Sequence, residues 1–97
     1  MMHEIRLIAT LVAKENKAAD ISALCRALVP LSRRDDGCIQ YDLHEDSENP
    51  GTFVFFEVWE NQHALDKHNA TSHINAFMKE AENNTESVDI QFIRKLD

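Results

Sequence analysis

The chain has 97 residues, with ten Lys and Arg against seventeen Asp and Glu, for a formal net charge of -7. This acid surplus argues against a nucleic-acid partner and against a membrane surface, since both require a positively charged contact face. Apolar residues at 43%, charged residues at 28%, only two Gly and two Pro, and no run near the ~20 apolar residues of a membrane span fit one globular domain over residues 1–97.

The segment Met1-Met2-His3-Glu4 lacks the basic-then-apolar layout of a secretory leader, so a cytoplasmic location is expected. His3 to Ala13 is rich in aliphatic and β-branched residues and reads as a strand, with Ile5, Leu7, Ala9 and Leu11 on one face and Ile8 and Val12 on the other. Asn16 is the expected N-cap of a helix running to about Arg34, whose buried stripe is Ile21, Leu24, Cys25, Leu28 and Leu31. Pro30 should loosen the last turn of that helix, and Asp35-Asp36-Gly37 ends it.

Cys38 to Glu45 is the second strand, with Ile39, Tyr41 and Leu43 on one face. Pro50-Gly51 supplies a type II turn, and Thr52 to Glu60 returns as a strand apolar on both faces. A strand of that kind belongs inside a sheet covered from both sides. Asn61 caps a short helix to about Asn69, and Thr71 or Ser72 starts a second segment carrying Ile74, Phe77, Met78 and Ala81. Asn83-Asn84-Thr85 ends it, and Val88 to Leu96 alternates as the last strand.

The order β-α-β-β-α-β is the ferredoxin-like plan: an α+β fold with a four-stranded antiparallel sheet and helices on one face. The other face keeps apolar side chains that one small chain cannot hide, so a twofold homodimer is expected.

Chemistry concentrates at Glu57-Val58-Trp59 and at His68 to His73. Glu57 and Trp59 share a strand face, and a carboxylate in an apolar strand is costly unless it is paired or functional. His68 and His73 would not share a face of an unbroken helix, but a break at Thr71 could re-aim His73 toward Glu57. Glu57 then either tethers the helix or joins an imidazole in proton transfer. His44 is either a pocket rim or plain surface, while His3 and His63 are read as solvated. No His or Cys spacing fits a compact metal template, so no metal is expected. Cys25 and Cys38 are too few for a disulfide framework; Cys25 reads as core.

Gly37-Cys38-Ile39-Gln40-Tyr41, the Asn-Pro hairpin, Phe-x-Glu-x-Trp over Phe55 to Trp59, and Ala64-Leu65-x-x-His68 followed by Thr71-x-His73 together resemble the antibiotic biosynthesis monooxygenase family. The resemblance spans nearly the whole chain. It implies a dimeric α+β barrel with a pocket between sheet and helices. It also implies an oxygenase in which an aromatic or quinol-type substrate, deprotonated to an electron-rich anion, reacts with O2 without flavin or metal. By that resemblance His68, His73 and Glu57 are the catalytic candidates, Glu57 setting the imidazole tautomer. Trp59, Phe55, Phe77, Tyr41 and His44 would line the substrate pocket. Polyketide-oxidising members have Asn where this chain has Phe55, and the His68/His73 pair resembles quinol-monooxygenase-like and autoinducer-isomerase-like members instead. Isomerases of a phosphorylated signalling sugar and non-catalytic stress-response barrels are the alternatives on the same scaffold.

Overall fold

A computed structural model of the chain describes residues 3–97; Met1 and Met2 of the N-terminal segment lie outside the described residues. The elements run β1 (Ile5–Ala13), α1 (Ala18–Arg33), β2 (Cys38–Glu45), β3 (Thr52–Trp59), α2 (Gln62–Asn69), α3 (Ser72–Asn84) and β4 (Thr85–Ile93). The four strands form one antiparallel sheet in the order β2-β3-β1-β4. This is the ferredoxin-like α+β pattern expected from the sequence, with its second helix broken in two.

Pairing Leu7 with Glu57 and Phe92, Ala9 with Phe55 and Ile90, and Leu11 with Phe53 and Val88 fixes one apolar face of the sheet. The helices cover that face at its β2–β3–β1 side, where Leu7, Leu11, Phe53, Phe55 and Trp59 are buried with Ile21, Cys25 and Leu28 of α1. Cover runs out toward β4, so Ile90 and Phe92 are 54% and 61% exposed although they face the helical side. On the opposite face Ile8, Val12, Val54 and Phe56 are half-buried. Among the described residues no helix is long and apolar enough to cross a membrane.

Several local expectations are corrected. Asn16 is not the N-cap of α1: it takes a left-handed φ of 68°, and Lys17 occupies the cap position without a side-chain bond. The buried stripe of α1 ends at Ser32 rather than Leu31, because 21, 25, 28 and 32 follow the helical period; Leu31 is exposed. A bulge between Cys38 and Gln40 turns Ile39 out to solvent, away from the face of Tyr41. β4 starts at Thr85 directly from α3, without an intervening loop.

The turn after β2 is as expected: Thr52 N donates to Asn49 O across Pro50 and Gly51, and Gly51 has φ 93°. Pro30 lies inside α1, which runs on to Arg33 and ends in tight turns to Leu31 O and Ser32 O.

Candidate active site

Three backbone features gather the site. Gly37 takes φ 80° where its missing side chain matters, since a Cβ there would collide with Ala64 Cβ on α2. That close approach brings the loop after α1 against α2, where Lys67 Nζ also reaches Asp36 Oδ2 at 3.1 Å. Asn61 Oδ1 accepts from Ala64 N at 2.9 Å and starts α2. At the break between α2 and α3, Thr71 Oγ1 accepts from Ile74 N at 3.3 Å and donates to His68 O at 2.7 Å. The break turns His73 back toward His68, and their ring centroids lie 6.2 Å apart.

The two imidazoles do not pair with Glu57. Both converge on Asp35, whose Oδ2 accepts from His68 Nδ1 at 2.8 Å and from His73 Nε2 at 2.9 Å. Asp35 therefore sets the tautomer of His68, the role the sequence reading gave to Glu57. The sequence marks Asp35 only as part of a helix end; the positive-φ Gly two residues later is the local signal that this loop approaches another element.

Glu57 instead accepts a hydrogen bond from Trp59 Nε1 at 2.9 Å, the i, i+2 geometry of one strand face. Burial pushes its carboxyl up to about 7, against the partly opposing effect of the Trp59 bond. His68 is 2% exposed, and desolvation lowers its pKa more than Asp35 raises it. Its ring lies 4.4 Å from the Trp59 ring and meets the Tyr41 ring edge-on at 5.6 Å. Among the described residues no hydrogen bond is made to His68 Nε2.

Glu57 and His68 line a common cavity of about 280 Å³ between the sheet and α2–α3, open toward β4. Tyr41, Phe55, Phe77 and Leu65 form its inner wall, and Met78, Ile90 and Phe92 its lip. Of the pocket residues read from sequence, Tyr41, Phe55 and Phe77 lie on this wall. Trp59 is fully buried behind it, in contact with His68 and Tyr41. His44 is not there: it is exposed in a second groove with Arg26 and Arg33, because it lies on the sheet edge beside α1. His73 sits at the back of the site, touching Asp35 and not the cavity.

Neither thiol suits nucleophilic chemistry; burial pushes Cys25 up to about 12 and Cys38, beside Glu57 and Asp35, up to about 11. Among the described residues, the group that could hold a metal is Asp35, His68 and His73, whose donor atoms all lie within 4.8 Å of one another. The sequence spacing does not show this set, because its three members come from three separate elements.

The model of the family described as antibiotic biosynthesis monooxygenase matches residues 4–80. A Bacillus subtilis (strain 168) protein named "Putative monooxygenase YcnE" is 35% identical over 74 residues, 76% of this chain and 78% of that protein. An uncharacterized Synechocystis protein is 37% identical over 68 residues, 70% of this chain, and the match spans 46% of that longer protein. Among solved structures, a Pseudomonas aeruginosa protein is similar over 100% of this chain and 98% of its own, with 35% identity and a TM-score of 0.94.

Proposed function

For a chain that belongs to the antibiotic biosynthesis monooxygenase family, we propose a monooxygenase that oxidises a small aromatic or quinol-type molecule with O2. The reading rests on one observation: a carboxyl with a pKa pushed to about 7 opens onto an apolar cavity of about 280 Å³. A base poised near the working pH gives efficient proton transfer, and an apolar wall of Tyr41, Phe55 and Phe77 suits a flat ring.

In this mechanism Glu57 takes a phenolic proton from the bound substrate. His68, held by Asp35 with Nδ1–H donating, offers Nε2 as a second acceptor. The resulting anion is electron-rich enough to react with O2 itself. A hydroquinone plus O2 then gives a hydroxyquinone plus water. One oxygen atom enters a ring C–H bond; the other leaves as water with the two phenolic hydrogens, so the substrate supplies all the electrons and no external reductant is consumed.

The test is turnover of a small hydroquinone under isotopically labelled O2. The expected result is one labelled oxygen in the product and one in water, at a rate that falls in Glu57→Gln and His68→Ala. A rate equal to uncatalysed autoxidation would refute the reading. An isomerase of a phosphorylated sugar needs a cation for the phosphate, and no Lys or Arg lines the cavity among the described residues.

The proposal includes a pair of chains packed through the sheet face of Ile8, Val12, Val54 and Phe56, which hides the apolar area left half-buried in one copy. Sedimentation should show a dimer at micromolar concentration; a stable monomer there contradicts this pairing.

A further inference from the structure

We propose that Asp35, His68 and His73 form a binding site for one divalent transition-metal ion of the zinc or ferrous class, behind the wall of the cavity. Binding of the ion does not require the oxygenase reading; only its effect on His68 rests on it. Its donor atoms are Asp35 Oδ2, His68 Nδ1 and His73 Nε2, and the carboxylate oxygen lies 2.8 and 2.9 Å from the two nitrogens. Ligands about 2.1 Å from a common ion stand roughly 3.0 Å apart at an octahedral corner and about 3.4 Å apart in a tetrahedron. The two nitrogens are the pair that must adjust: the three donors lie within 4.8 Å of one another, and an ion closes the imidazoles to about 3.0–4.2 Å while the carboxylate oxygen backs away to make room.

Two imidazoles and a carboxylate are a nitrogen-rich set that selects zinc, iron, cobalt or nickel over calcium and magnesium, which prefer oxygen ligands. The three ligands are already gathered by the backbone. Gly37 lets the Asp35 loop close on α2, and Thr71 fixes the bend that brings His73 back. From Asp35 to Asp66 the chain has no Lys or Arg, and the amine of neighbouring Lys67 is engaged by Asp36. Access comes from the solvent side, where the Asp35 and His73 side chains keep 15% and 20% of their exposure, leaving room for water to complete the shell.

Loading the site reverses what His68 offers the cavity. With Nδ1–H donating to Asp35, Nε2 is an acceptor. An ion on Nδ1 displaces that proton and the neutral ring carries it on Nε2, which becomes a donor. The ion is thus expected to suppress proton abstraction at His68 while clamping the α1–β2 loop to α2 and α3.

The experiment uses chelator-stripped protein without substrate. Zn²⁺ is titrated by calorimetry and Co²⁺ by visible absorption and by quenching of Trp59, the one Trp in the chain, whose ring lies 4.4 Å from His68. One ion per chain is expected, with Trp59 quenched by Co²⁺. Asp35→Asn and His73→Gln should each weaken binding by more than about 100-fold, beyond the roughly 10–100-fold carried by outer-shell partners. The exposed His63→Ala should leave binding unchanged, and Zn²⁺ should raise the melting temperature of the parent chain but not of Asp35→Asn. Failure of the parent chain to bind Zn²⁺ more tightly than millimolar overturns the proposal, whatever the variants do. So does binding that persists at full strength in both ligand variants, which would place the ion elsewhere. Because no turnover is read, failure here leaves the oxygenase proposal intact, and the reverse also holds.

Discussion

Two of the hollows among the described residues differ in kind. The groove beside α1 is the larger, about 410 Å³, and is lined by Arg26, Arg33, His44 and Glu45. Its charges are exposed and largely occupied: Arg33 donates to Tyr41 O and to Asp42, and Arg26 to Ser22 Oγ. The cavity under α2 and α3 is smaller, yet Glu57 and His68 are held there out of water, each with a fixed partner on one side only. Exposed charges cost little, whereas a buried carboxyl carries a free-energy penalty, which is why the proposed function is placed at Glu57.

The sharpest way to break this contrast is to neutralise the buried carboxyl. Glu57→Gln keeps the shape and should lower turnover of a hydroquinone by about 10²–10⁴-fold, the usual share of general base catalysis. Steady-state oxygen uptake measures it.

The same substitution should stabilise the chain, with a sign fixed by linkage. The Glu57 carboxyl is raised from 4.5 to about 7 in the folded chain. Folding therefore favours its protonated form: no penalty exists below about pH 4.5, and stability is lost as pH rises toward and past 7. The loss amounts to about 3 kcal/mol at its limit. Denaturant melts at pH 5 and pH 8 should show the advantage of Glu57→Gln over the parent growing several-fold at the higher pH.

Next in size is Gly37→Ala. It combines strain at a φ of 80° with a collision against Ala64 and should cost about 1–3 kcal/mol. It should also weaken the Asp35–His68 contact, read as a displaced His68 proton resonance. Smallest is His44→Ala in the outer groove, which should change stability by less than about 0.5 kcal/mol and leave turnover unaltered.

What the sequence discloses and what it hides follow from the range of the interactions. The Pro50-Gly51 turn, the Asn61 cap and the Thr71 alternative for the next cap rest on contacts between near neighbours, and they appear in the structure as read. So does the shared strand face of Glu57 and Trp59, because alternation alone dictates it. The partner of His68 is 33 residues away, Asp35 rather than Glu57, in a loop that packs against α2 through the Gly37 approach to Ala64. His44 shows the same limit in reverse. Its neighbours in sequence resemble a pocket rim, but its place on the β2 edge delivers it to the other hollow. The exposure of Ile90 and Phe92 could not be read from alternation, which gives the face of an edge strand but not whether a helix reaches it.

The claim on which the rest depends is that Glu57 acts as the base inside the small cavity. Its most direct test is the pH dependence of kcat/KM for hydroquinone-dependent oxygen uptake by the parent chain and by Glu57→Gln. The account predicts a rate that rises with pH through about 7 as the carboxyl ionises, and a variant that lacks this rise. An identical rise in both proteins, or turnover that does not change across that range, would contradict it.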